Sequence, residues 1–242
     1  METTAYLALS RQTVLRRRME VIAHNIANLN TSGFQAEALV LEPTLKDAGN
    51  RDEIAFVQDF ATVRDLAPGP LVPTGGPLDL AIEGDGWFTF QTGAGVRYGR
   101  AGNLQLNDQG EIVSPAGDPL LDDSGGTITI PLGTADGLTI APDGTVSTGD
   151  ALAGRIGLVR FADPQAMTPV GGGLFATDQP ALPAEARVVQ GTYEGSNVQP
   201  VVEMTLMMST VRAYQSTQRV IDTHHELQRR AIERMLQAGG QA

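Results

Sequence analysis

Apolar side chains near the start of the chain recur at alternating steps of three and four: Leu15, Met19, Ile22, Ile26 and Leu29. The same register reaches back through Gln12 and Ala8 to Ala5. A repeat of 3.5 residues keeps one apolar seam turned toward a partner helix. No Pro or Gly interrupts residues 3–29, which predicts a single helix of ~40 Å at 1.5 Å per residue. Asn28, Asn30, Thr31, Ser32 and Gly33 form its stop, with Gly33 suited to a left-handed turn past the last carbonyls. The far end of the chain repeats the pattern in Met204, Met207, Val211, Tyr214, Gln218, Ile221, His225, Gln228, Ile232 and Met235. Pro200 fits the start of this helix, where a missing N–H costs nothing, and Gly239 and Gly240 fit its end. The polar seam positions Gln218, His225 and Gln228 weaken the seam but help to fix register and partner. So thin a seam leaves each helix marginal alone. The pattern admits an intramolecular helix pair or an intermolecular bundle. The long separation of the two helices and the lack of any other helix to pack on favour the bundle.

Between the helices the period changes to two. Leu78, Leu80 and Ile82 alternate with Asp79, Ala81 and Glu83; Gly84-Asp85-Gly86 turns the chain; Trp87 to Phe90 forms the next strand. Further short strands are expected around residues 96–98, 104–106, 111–113, 120–121, 127–130, 138–140, 145–147 and 155–161, separated by turn signals such as Asn107-Asp108-Gln109-Gly110 and Pro142-Asp143-Gly144. Turns every 8–12 residues indicate an antiparallel sandwich or barrel-like domain. Residues 171–186, rich in Gly and Pro, read as an irregular return path. The expected fold is therefore α+β: N- and C-terminal helices forming a coiled-coil-like pair, with an inserted antiparallel all-β domain. Residues 1–34 and 198–242 make up the discontinuous helical region. Residues 35–76 are a linker or transition segment in which 35–41 extend the chain as a strand or short helix, ending in a Pro/Gly cluster, and 77–197 form the β-rich outer domain.

Composition sharpens this picture at three points. The absence of Cys excludes disulfides and thiolate metal sites. No run of 18 apolar residues exists, so no membrane-spanning helix is expected, and Arg16, Arg17 and Arg18 break up any apolar signal-peptide core, so a Sec route is not expected. Net charge is −11, and residues 51–200 carry it, with 7 basic and 19 acidic side chains. That balance disfavours nucleic acid and anionic membrane as partners.

Candidate chemistry is sparse. His224 and His225 are adjacent, about 100° apart around a helix, and a metal pair wants i, i+4 spacing. No nucleophile elbow or phosphate-binding glycine loop is present. Asp122, Asp123, Asp79, Glu83 and Asp136 do not follow calcium-loop spacing. No catalytic residue, metal, cofactor or small-molecule substrate is expected. A saccharide-binding β module whose helices merely close the fold is the rival reading, and the low aromatic content, 5%, speaks against it. Asn25, Asn28, Asn30 and Asn197 stand out, because Asn is a mediocre helix former. Capping accounts for Asn28 and Asn30. Asn25, in mid-helix, is better explained by a hydrogen bond to a neighbouring helix or chain.

Five stretches carry a family resemblance. Residues 22–37 (IAHNIANLNTSGFQAE), 76–88 (GPLDLAIEGDGWF), 98–106 (YGRAGNLQL), 195–198 (GSNV) and 212–214 (RAY) resemble, in order, the signatures of the bacterial flagellar rod and hook proteins. Each is weak alone; five in sequence over nearly the whole chain are a strong signal. The opening segment and the length are most similar to the proximal-rod branch, with distal-rod and hook subunits as the alternatives. His24 and Gln35 depart from the family's usual Asn and Lys, Thr192-Tyr193 from Tyr-Leu, and Gln215 from an acid. The resemblance implies a structural, non-enzymatic subunit. It would be exported by the flagellar type III apparatus to the basal-body rod in the periplasm, and would assemble there with other rod subunits to transmit torque. The assembly interface would then comprise Leu15, Met19, Ile22, Asn25, Ile26, Asn28, Leu29, Asn197, Met204, Met207, Val211, Tyr214 and Ile221.

Overall fold

The computed structural model describes residues 2–47, 53–131, 137–149 and 151–239. Asp136 and Gly240 lie outside the described residues, as do the side chains of Ala5, Ile232 and Met235. The chain divides into two compact units, residues 1–27, 37–63 and 199–242 in the first and residues 28–36 and 64–198 in the second.

The first unit holds helix α1 (Glu2–Ala27), helix α2 (Pro200–Gly239) and a two-stranded sheet formed by Glu37–Asp47 with Glu53–Arg64, whose last residue belongs to the second unit. Helix α2 begins at Pro200, as the position of that proline predicts. Two side-chain contacts set the helix register: Gln12 Nε2 donates to Gln218 Oε1 at 2.5 Å, and Asn25 Nδ2 to Glu203 Oε1 at 3.0 Å. As one number rises the other falls, so the helices are antiparallel. Within the expected linker or transition segment 35–76, the strand or short helix expected at 35–41 is the start of a strand, and a second long strand follows. The β-branched and aromatic composition of 37–47 and 53–64 suits the long paired strands, and the Pro/Gly punctuation falls in residues 65–70, ahead of the short strand Leu71–Pro73.

The second unit is antiparallel β. Its largest sheet has six strands in the order Thr168–Gly171, Leu174–Ala176, Gly95–Gly99, Trp87–Thr92, Leu158–Arg160, Leu182–Pro183. Alternation along Trp87–Thr92 divides the core. Phe88 and Phe90, both fully buried, join Leu80, Ile112, Leu120, Ile128, Ile130, Val146 and Val188 in one cluster. Trp87 points the other way, onto Phe175, Met167 and Phe161. Trp87 meets Phe175 edge-on, with ring centroids 5.2 Å apart, a geometry worth ~1 kcal/mol beyond area burial. Smaller sheets complete the unit: Leu80–Glu83 with Arg187–Gln190, Leu71–Pro73 with Thr192–Glu194, Gln105–Leu106 with Ile112–Val113, and Leu138–Ile140, Thr145–Thr148, Ala151–Arg155 in a three-stranded meander.

The irregular return path expected over 171–186 is also corrected, because three of the six large-sheet strands lie at 168–183. The misleading Pro and Gly residues occupy edges and turns. Pro169 and Pro183 sit in the two edge strands, where a missing N–H need not break the ladder. Gly171, Gly172 and Gly173 all take positive φ in the tight connection between the first two strands.

Candidate assembly interface

The first unit's buried face is a doublet stripe. On α1 it consists of Ala8, Val14, Leu15, Val21, Ile22 and Asn25, with Gln12, Met19 and Ile26 half-buried beside it. On α2 Thr210 and Thr217 are buried, flanked by half-buried Glu203, Leu206, Met207, Val211, Tyr214, Ile221 and His224. Of the predicted interface, Leu15, Met19, Ile22, Asn25, Ile26, Met207, Val211, Tyr214 and Ile221 therefore lie on or beside the faces that close the helix pair. Met204 does not: it is 51% exposed. Leu29, half-buried, belongs with Asn28 and Asn197 to the second unit.

Val14, Val21, Thr210 and Thr217 were not legible as seam residues from a single 3–4 alternation. The signal is a second column spaced by seven beside the first. The two threonines tolerate burial because their hydroxyls donate to carbonyls of their own helix, Thr210 to Leu206 at 2.7 Å and Thr217 to Ala213 at 3.0 Å.

Two asparagines act as substitute peptide groups. Asn25 accepts from Glu37 N–H at 2.9 Å and donates to Glu37 O at 2.8 Å, while also reaching Glu203. Asn25 is only 1% exposed, so a residue there must satisfy both backbone groups of the strand it faces. In the second unit Asn197 accepts from Ala36 N–H at 2.6 Å and donates to the carbonyls of Asp65 at 2.9 Å and Ala67 at 2.8 Å. Asn28 serves as a cap, taking Thr31 N–H on its carbonyl and the Thr31 hydroxyl on its side-chain oxygen.

Glu194 and Arg100 organise the segment that follows α1. Their side chains are 3% and 8% exposed and meet at 2.7 Å. The Arg100 guanidinium also donates to Gly86 O at 2.9 Å, and Glu194 Oε1 accepts Gly69 N–H at 3.0 Å. The carbonyl of Glu194 receives Gly33 N–H at 2.8 Å and the Ser32 hydroxyl at 3.1 Å. Gly33 has φ +65°, and a Cβ there would lie 2.5 Å from the Arg100 carbonyl carbon, so both backbone freedom and space demand glycine. Nothing in the local pattern marks Arg100 and Glu194 as partners, since 94 residues separate them. Beside them Gln35, also buried, accepts from Arg64 at 3.2 Å.

Among the other candidate carboxylates Asp122 and Asp79 bind groups in turns, and Glu83 lies in the strand Leu80–Glu83. Asp122 Oδ1 accepts from Ser124 N and Oγ and from Gly126 N at 2.7–2.9 Å. Slight burial pushes this carboxyl up, but the bonds from Ser124 and Gly126 outweigh it and hold it below the usual aspartate value. Asp79 takes the Thr74 hydroxyl.

Residues 6–35 match the family described as flagella basal body rod protein, residues 81–148 the hook protein FlgE/F/G D1 domain, and residues 189–234 the flagellar basal body rod FlgEFG protein C-terminal family. A flagellar basal-body rod protein FlgF of Caulobacter vibrioides is 41% identical, over 97% of this chain and 98% of its own length. The chain belongs to the flagellar basal-body rod protein family. An FlgF of Mesorhizobium japonicum is 36% identical over 90% and 91% of the two chains, and an FlgG of Bacillus subtilis 32% over 92% and 95%. The likeness is therefore to FlgF-type rod proteins, and the family's two terminal regions contain nearly all of α1 and most of α2. Among the described residues no helix is long and apolar enough to cross a membrane.

Proposed function

We propose that the α1–α2 pair is the assembling element of a structural subunit of the flagellar basal-body rod. The observation that carries this reading is the helix pair itself. Both helices fall in the family's terminal regions, and α2 leaves Val201, Met204, Met208, Val220 and Leu227 between 51% and 77% exposed. Apolar side chains repeated along a helix and left in water are surfaces for other helices. The subunit reaches the periplasm through the flagellar type III export apparatus. It packs there with copies of itself and neighbouring rod proteins, transmitting torque through many repeated contacts and catalysing nothing.

The test is genetic. Deletion of the gene should abolish motility, and wild-type chain should restore it. Ile22→Asp, which places a charge at a 3% exposed seam position, should be produced but fail to restore basal bodies. Motility of the deletion strain, or full rescue by Ile22→Asp, would overturn the reading.

A further inference from the structure

The second unit holds a cavity of about 370 Å³, and every residue that lines it belongs to that unit. Trp87 reaches it from the large sheet, and Gln35 from the segment that follows α1. Both side chains belong to buried residues, 4% and 5% exposed. Both also carry polar hydrogens that the described residues leave unpaired. Gln35 Oε1 is taken by Arg64 at 3.2 Å, while its Nε2 donates to no described residue, and the Trp87 indole N–H likewise has no acceptor among them. Donors on buried residues normally find a partner, so this cavity calls for an acceptor.

Charged side chains complete the lining. Arg160 donates from Nε to Pro183 O at 3.2 Å, and its two terminal nitrogens have no partner among the described residues. Arg100 adds no free donor, because Glu194 neutralises it at 2.7 Å and backbone carbonyls take its other nitrogens. Asp85, exposed in the turn Gly84-Asp85-Gly86, makes no hydrogen bond or ion pair with a described residue through its carboxylate. Leu66 and Phe161 supply apolar wall.

The cavity thus combines an unpaired guanidinium and neutral N–H donors with an unpaired carboxylate and apolar surface. Guanidinium and N–H groups together suit a carboxylate. Asp85 opposes a multiply charged anion and favours an ammonium. The volume lies near the low end of ligand sites, ~300–1,000 Å³, so the occupant is small.

We infer that the second unit binds a free apolar α-amino acid in this cavity. Its carboxylate meets Arg160, Trp87 and Gln35, its ammonium meets Asp85, and its side chain packs on Leu66 and Phe161. This goes beyond the rod reading and does not rest on it, since every group it uses lies in the β unit.

Trp87 is the single tryptophan of the chain, so tryptophan emission reports the cavity without background. The full-length chain is titrated with L-leucine, with isocaproate, which lacks the ammonium, and with isoamylamine, which lacks the carboxylate. Isothermal calorimetry on the same mixtures reads binding that leaves the emission unchanged. Leucine should bind saturably with a Kd on the order of a millimolar, as suits so small a ligand. Each analogue, having lost one charged contact, should bind about tenfold more weakly. Arg160→Gln, at an exposed position, should weaken leucine by about the same factor. Asp85→Asn should bring leucine down to the affinity of isocaproate and leave isocaproate bound no more weakly. Absence of saturable leucine binding in both measurements, wild-type leucine affinity in either variant, or isocaproate bound as tightly as leucine would overturn the inference.

Discussion

Phe88 and Phe90 in the second unit are fully buried, whereas Val201 and Leu227 in the first are 77% and 60% exposed. Both clusters of buried hydrophobic side chains among the described residues belong to the β unit. Its core draws on strands far apart in sequence, its sheet is covered on both faces, and a buried ion pair anchors its loops. The helical unit closes on a stripe in which Asn25, Thr210 and Thr217 occupy buried positions. A core of that kind gains less from burial per residue, and its remaining apolar surface faces outward. The contrast separates a body whose core is closed within one chain from an element whose exposed apolar side chains are proposed to meet neighbouring subunits.

The largest expected effect falls on the β unit. Phe88→Ala should destabilise it by about 3–5 kcal/mol through lost transfer energy and a residual cavity, read by urea unfolding. An effect below ~1 kcal/mol would mean the core is not the close-packed body described.

A smaller effect sharpens the contrast from the other side. Asn25→Ala leaves the Glu37 N–H and C=O without the partners they have, at about 1–3 kcal/mol. It should speed hydrogen exchange in α1 and at the start of the Glu37–Asp47 strand while leaving the main melting transition of the β unit in place. Loss of that transition would show that the two units are not separable in stability.

The smallest effect is acid sensitivity. Against the slight burial that raises it, the Asp122 carboxyl is held below its ordinary value by bonds from Ser124 and Gly126, so the folded state favours its ionised form. That contribution is present above the unfolded pKa, ~3.9, and fades as pH falls through the lower folded value. Asp122→Asn keeps the acceptor oxygen and removes the titration. The melting temperatures of the two chains should therefore differ most above pH ~4 and converge below it. A gap that widens in acid would contradict the assignment.

How far the sequence disclosed this molecule follows from how local each signal is. The helices and most strands up to residue 160 were legible because period and turn chemistry are local. Pro200 opens α2 as its residue type dictates; Gly33 takes the expected left-handed φ, but beyond the end of α1 at Ala27 and with its N–H on Glu194 O instead of on a helix carbonyl. Of the paired strands at 37–64 only the start was legible, as a strand or short helix, because the pair lacks clear alternation; the sheet strands at 168–183 were hidden by prolines that edge strands accept. In the interface, Asn25 could be singled out because a mid-helix Asn needs a reason. Arg100 with Glu194 could not, since their pairing exists only once the chain has folded. A single 3–4 alternation puts Met204 in the closing seam because it cannot tell the face turned to α1 from the face next to it.

Hydrogen exchange on the full-length free chain tests the central contrast most directly. The account predicts that amides of α1 and of residues 200–230 exchange orders of magnitude faster than those of Leu80–Glu83 and Trp87–Thr92, because the helical unit opens without unfolding the β core. Equal protection of helices and core strands would show that the helix pair is complete in one chain, and would contradict the claim that neighbours finish it.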